Sequence, residues 1–220
     1  LSWEEGHKPN VRMSQDMVAA AQQSAKALDY RFDNPPSVTP PKDAPPRYLW
    51  RRVVEYSGFA DWASISRRFA PLFADASKLD ANSPLKREAA RIAVAHQQPL
   101  DRANAALKLV QQDVRYVYVG LNGGNFTPAT AEETWQRRYG DCKGKTVLLL
   151  ALLRELGIEA QAVLVNNGTS DDGLDERLPS PRMFDHVLVR ARIDGKAYWL
   201  DGTLPAVVPP VLAPVTPYQW

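Results

Sequence analysis

The only cysteine of the chain, Cys142, stands at the head of a long apolar run in YGDCKGKTVLLLALLRELG. Asp141 is a good helix N-cap, which puts the thiol in a first helical turn, where free backbone N–H groups and the helix dipole favour a thiolate. Lys143 and Lys145 bring positive charge to the same turn. The same residues also read as a small buried cysteine followed by solvated lysines. A phosphate loop ending at Gly144-Lys145-Thr146 fails on spacing. Three residues separate Gly140 from Gly144 where four are required, Tyr139 fills the glycine position, and TWQRRY is too polar for a central strand.

A thiol nucleophile needs a base, and the base needs a group to orient it. Of the three histidines, His7 lies in a polar N-terminus and His96 ends a helix, where it can complement the dipole. His186 opens the strand DHVLVRARI. Asp194-Gly195 is a strong two-residue turn signal, and a hairpin centred on it sets Leu188 opposite Asp201. Side chains alternate along a strand, so His186, Leu188 and Asp201 share one face, with His186 diagonal to Asp201 and within reach of it. The other reading is that Asp201 begins the turn DGTLP and His186 is a strand-end histidine.

The elements that must position these groups are legible in part. Residues 11–28 favour helix by composition, with no Gly or Pro. Residues 33–46 hold six prolines and predict an extended linker and a domain boundary. RYLWRRVVEYSGF suggests a strand, and DWASISRRFAPLF an amphipathic helix. Ser83-Pro84 opens a further helix, and Pro99 another with Leu100, Ala103, Leu107 and Val110 on one face. RYVYVG is rich in β-formers, and a short helix follows near ATAEETWQRR. Cys142 to Leu156 reads as a buried helix stopped by Gly157. AQAVLVN is a strand, residues 167–183 a polar loop, and residues 186–201 the hairpin.

Composition narrows the function class. The 220 residues are 45% hydrophobic and 24% charged, ordinary for a globular protein. A net charge of +2 with no dense basic block argues against nucleic acid. One cysteine with three scattered histidines gives no disulfide framework, no metal-ligand spacing and no implied cofactor, and leaves the compartment open. The longest apolar run, Val147 to Leu153, is too short for a membrane span. LSWEEGHKPN lacks the features of a signal peptide and reads like the middle of a protein.

With these motifs in order, YGDCKGKTVLLLALLRELGIEAQAVLV, FDHVLV and GKAYWLDGT, the chain resembles the bacterial transglutaminase-like superfamily. The likeness is tight over about residues 112–204 and looser over 47–111. It is strongest to the subgroup in which this core follows an N-terminal β-rich domain. The resemblance implies an α+β, papain-like core, with the cysteine helix packed on an antiparallel sheet and additional N-terminal helices. It implies residues 1–46 as the end of a preceding domain plus linker, 47–204 as the transglutaminase-like domain and 205–220 as an extended Pro-rich tail. Cys142 would be the nucleophile, His186 the general base and acid, and Asp201 the orienting group. Gln136 and Tyr118 are candidates for a second oxyanion donor beside the Cys142 N–H. Trp135, Tyr198 and Trp199 could line a cleft or fill the core. The implied partner is a peptide or protein amide, with hydrolysis favoured, and possible contact with a neighbouring domain. The implied setting is periplasmic or membrane-associated. A silent module of the same fold that binds a peptide or partner domain is the competing class. The sequence departs from the subgroup at Gly144, where Asp is usual, at Asp185, where Asn is common, and at Gly202, where Pro often follows.

Overall fold

The computed structural model describes residues 1–49, 52–118, 126–167 and 173–206. The chain forms two compact units, Leu1–Arg67 with Gly168–Met183, and Arg68–Asn167 with Phe184–Trp220.

The first unit corrects the helix expected over 11–28. That stretch forms strand β1 (Asn10–Met13), a single turn α1 (Gln15–Val18) and strand β2 (Ala21–Gln23), followed by β3 (Leu28–Tyr30). β1 pairs antiparallel with β4 (Val54–Ser57), from Asn10 opposite Ser57 to Met13 opposite Val54, and β2 pairs with β3. Helix propensity is a weak preference, and here pairing with a distant strand overrides it. The Ser14 hydroxyl marks the switch by accepting the Val53 N–H at 3.0 Å. Between β3 and a 3₁₀ turn at Pro46–Leu49 there is no helix or strand, as the prolines require. The unit continues beyond this stretch through β4. Glu55 there meets Arg12 at 3.0 Å and also pairs with Arg177, while the Ser57 hydroxyl donates to the Pro179 carbonyl.

In the second unit, reached through α2 (Trp62–Ala76), the helices are α3 (Pro84–Ala95), α4 (Pro99–Asp113), α5 (Ala131–Arg137) and α6 (Cys142–Glu155). Ser83 caps α3 through the Leu85 N–H, and Thr130 with Glu133 forms a capping box on α5. Short strands β5 (Arg115–Tyr116) and β6 (Tyr139–Gly140) pair in parallel and lead into α6. The rest of the strand expected after Tyr116 includes residues 119–120, outside the described residues. α6 is buried from Cys142 to Leu153 because α3, α4, α5 and the sheet all pack on it. Its C-terminus closes as a Schellman motif. Gly157, at φ +71°, donates to Arg154, and Ile158 donates to Leu153 before entering the core.

The sheet is antiparallel, in the order β7 (Glu159–Val165), β8 (His186–Ile193), β9 (Lys196–Leu200). Asp194 and Gly195 both have positive φ, +50° and +77°, the conformation a two-residue type I′ turn demands. Val189 therefore faces Leu200, and the next pair in register is Leu188 with Asp201. Val187, Val189, Ala191 and Ile193 join the core that contains α6. Leu188 instead packs with Val165 and Trp199 in a separate cluster. The fold is thus α+β with the cysteine helix packed on an antiparallel sheet. From residue 207 the proline-rich tail lies outside the described residues.

Candidate active site

Asp141 makes the start of α6. Its backbone is extended, with φ −82° and ψ −174°, and its carboxylate Oδ1 accepts the Gly144 N–H at 3.0 Å. This places Cys142 in the first turn, 1% exposed. The hairpin brings His186 to it from β8. His186 Nε2 lies 2.8 Å from Asp201 Oδ2, and the imidazole is also hydrogen-bonded to the Cys142 side chain. With Nε2 given to the carboxylate, Nδ1 is the ring nitrogen left for sulfur. Cys142, His186 and Asp201, named from the sequence, form one hydrogen-bonded run.

Asp201 is fixed on every side. Its Oδ1 accepts the Thr203 N–H at 2.8 Å and the Thr203 hydroxyl at 2.6 Å, and Gln111 Nε2 donates to its main-chain carbonyl at 3.0 Å. The two readings of Asp201 are therefore both true: one oxygen closes the turn and the other holds the imidazole. The Oδ1 of Asp185, the residue before His186, accepts the Asn167 N–H at 2.7 Å and closes the end of β7 against β8.

Burial alone would lower the imidazole pKa, but the hydrogen bonds to Asp201 and Cys142 outweigh it and raise it to about 9. Burial would likewise push the Asp201 carboxyl up, yet the bonds from His186 and Thr203 bring it below its usual value. His186, raised from 6.5, contributes stability that is complete below about pH 6.5 and lost as pH rises through about 9. Asp201, lowered from 3.8, contributes stability that is present above that value and lost as pH falls through its lower folded one. The melting temperature of native protein minus that of Asp201→Asn should therefore be largest between about pH 4 and 6.5, shrinking on either side. A difference that does not vary with pH would count against the pair.

The lysines are not solvated. Lys143 and Lys145 are 2% and 1% exposed. Lys143 Nζ pairs with the Asp141 carboxylate, so the N-cap residue also neutralises a buried cation. Gln136 is exposed on α5, and Tyr118 is 72% exposed; neither is hydrogen-bonded to the three central residues. Tyr116 lies closer. Burial, with the charges of Cys142 and Asp141 next, raises its phenol to about 12, so it stays a donor throughout the working range. The alternation of RYVYVG puts Tyr116 and Tyr118 on one face, but nothing in the sequence reveals that β5 pairs with β6 just before the cysteine. Trp135 is buried in the main core, and Trp199 packs with Leu188.

The stretch that carries this cysteine, histidine and aspartate resembles a known family. The model of the transglutaminase-like superfamily matches residues 86–201, which include all three residues. No curated protein matches the sequence. Among solved structures, a candidate protease from Parabacteroides distasonis superposes with a TM-score of 0.61 at 15% identity, covering 90% of this chain and 38% of that one. A candidate cysteine protease from Cytophaga hutchinsonii gives 0.42 at 19% identity, covering 64% and 45%. The periplasmic domain of TgpA from Pseudomonas aeruginosa gives 0.39 at 17%, covering 60% and 47%. The first likeness is one of fold, and this chain spans less than half the length of each of the three. The family model takes in more than half of this sequence, from α3 to the aspartate that holds the imidazole, and the chain belongs to the transglutaminase-like superfamily.

Proposed function

We propose that this chain is a cysteine acyl-transfer enzyme acting on peptide or protein amides, with water as the favoured acceptor. The observation that supports this reading is the imidazole hydrogen-bonded to the Cys142 side chain and to the Asp201 carboxylate, with its pKa raised to about 9. At neutral pH the ring then carries a proton beside the sulfur, and the sulfur is free to attack. Sγ bonds to the amide carbon, and the carbonyl electrons move to oxygen, where the Cys142 N–H at the helix start stabilises the charge. His186 gives its proton to the departing amine as the C–N bond breaks, leaving a thioester on Cys142. Water, deprotonated by the now neutral His186, attacks the thioester, releasing the acid and restoring the thiolate beside the protonated ring. Asp201 keeps the ring in the tautomer that both steps need. Gln136, Tyr118 and Tyr116 are the candidates for the second oxyanion donor.

The whole protein is assigned a periplasmic or membrane-associated setting by family resemblance alone. No helix of the described residues is long and apolar enough to cross a membrane.

The test is hydrolysis of a panel of peptide amides by native protein and by Cys142→Ala. Activity should vanish in the variant, while loss of one buried thiol should cost only about 1 kcal/mol of stability. Hydrolysis that survives the substitution would remove the nucleophile from the scheme. A panel untouched by native protein, with a peptide that still binds, would make the chain a silent module.

A further inference from the structure

Lys145 has no part in the acyl-transfer scheme, yet its side chain is 1% exposed and lies directly behind that machinery. Its ammonium donates to the carbonyl of Val114, the C-cap of α4, where a cation complements the negative end of the helix dipole. Its stem is packed between two glycines. A Cβ built on Gly140 would lie 3.7 Å from Lys145 Cγ, and one on Gly202 would lie 3.6 Å from Lys145 Cβ. The residue thus touches α4, β6 and the turn that carries Asp201, whose charge acts on the ammonium.

We infer that Lys145 is a positioning residue of the acyl-transfer site, whose buried stem braces the turn of Asp201 against the start of α6 and whose positive charge supports the carboxylate that holds His186. This rests on the proposed function and deepens it. The titratable groups around this corner are Asp201 and His186 from the hairpin, Cys142, Asp141 and Lys143 from the start of α6, and Tyr116 from β5. Burial lowers the ammonium pKa to about 8, although Asp201 opposes the shift. The charge is therefore present on the acidic side of the working range and fades on the basic side.

That asymmetry gives the test. In Lys145→Met, which keeps the stem and removes the charge, the acid limb of the pH–rate profile for Cys142 alkylation by iodoacetamide should move up by about one unit. The limb near pH 9 should move far less, because the native lysine is already losing its proton there. Lys145→Arg should restore the acid limb. An unmoved acid limb in a folded Lys145→Met protein would make the lysine structural only. A second measurement leaves Lys145 in place, in case Lys145→Met does not fold. One lysine ¹³Cε resonance of native protein should titrate near pH 8, and lower still in Asp201→Asn. If no lysine resonance responds to Asp201→Asn, the coupling is absent and the inference fails. Neither readout depends on turnover, so a protein that cleaves no amide can still pass or fail.

Discussion

His186→Ala should leave a folded protein whose Cys142 is alkylated at pH 6 about 100-fold more slowly than in native protein, the scale on which positioned acid–base groups act. The reasoning starts from the hairpin. β8 places the imidazole between sulfur and the Asp201 carboxylate, and both contacts favour its protonated form. Among the described residues the ring is the one group hydrogen-bonded to both Cys142 and Asp201, and its removal takes the partner from Oδ2 of a carboxylate that is 9% exposed. Asp201→Asn should cause a smaller loss, because the ring remains and only its orientation and charge support are weakened. His96→Ala is the control: His96 caps α3, outside the hydrogen-bonded run, and should change nothing. Rates for all three variants across pH 5 to 10 would decide the matter. An unaltered profile in His186→Ala would leave Cys142 a structural thiol.

Gly144→Ala should destabilise the protein by about 1–3 kcal/mol, although Ala is the better helix former by about 1 kcal/mol. Judged by helix propensity alone, Gly144 only weakens α6. Its packing reverses the expectation. A Cβ there would lie 2.8 Å from Thr134 Oγ1 and 3.5 Å from Thr134 Cγ2, and Thr134 is 1% exposed, so rotating its side chain exchanges one crowded group for another. Among the described residues the Thr134 hydroxyl has no hydrogen-bond partner, so Thr134→Ala breaks no bond there. Urea unfolding of the double-mutant cycle checks this. Gly144→Ala made in Thr134→Ala should be neutral or stabilising, whereas an equal cost in both backgrounds would rule out the clash. The Asp usual in the subgroup at this position would meet the same wall.

The site was legible where local rules dominate. Asp194-Gly195 fixes the hairpin register by turn geometry alone, and the register brings His186 to Asp201. Asp141, Cys142 and Gly157 mark the two ends of α6 in the same way. Legibility ended where distant segments decide. Residues 11–28 have helical composition, but β1 answers to β4, more than forty positions away, and a single sequence gives no sign of that pairing. The burial of Lys145 was hidden for the same reason: its partner, the Val114 carbonyl, meets it only once α4 has packed on α6. Tyr116 went unnoticed beside Tyr118 because the parallel pairing of β5 with β6, which brings Tyr116 under the influence of Cys142, has no local sign in the sequence.

The most direct test of the central claim is intact-protein mass spectrometry after acid quench, with an activated peptide ester as acyl donor. Native protein should gain the mass of one acyl group, mapped to Cys142 by peptide sequencing and released by neutral hydroxylamine, as a thioester must be. The adduct should be missing in Cys142→Ala and should accumulate more slowly in His186→Ala. Ester turnover by native protein without any adduct on Cys142, or with an adduct that persists in Cys142→Ala, would contradict acyl transfer through this thiol.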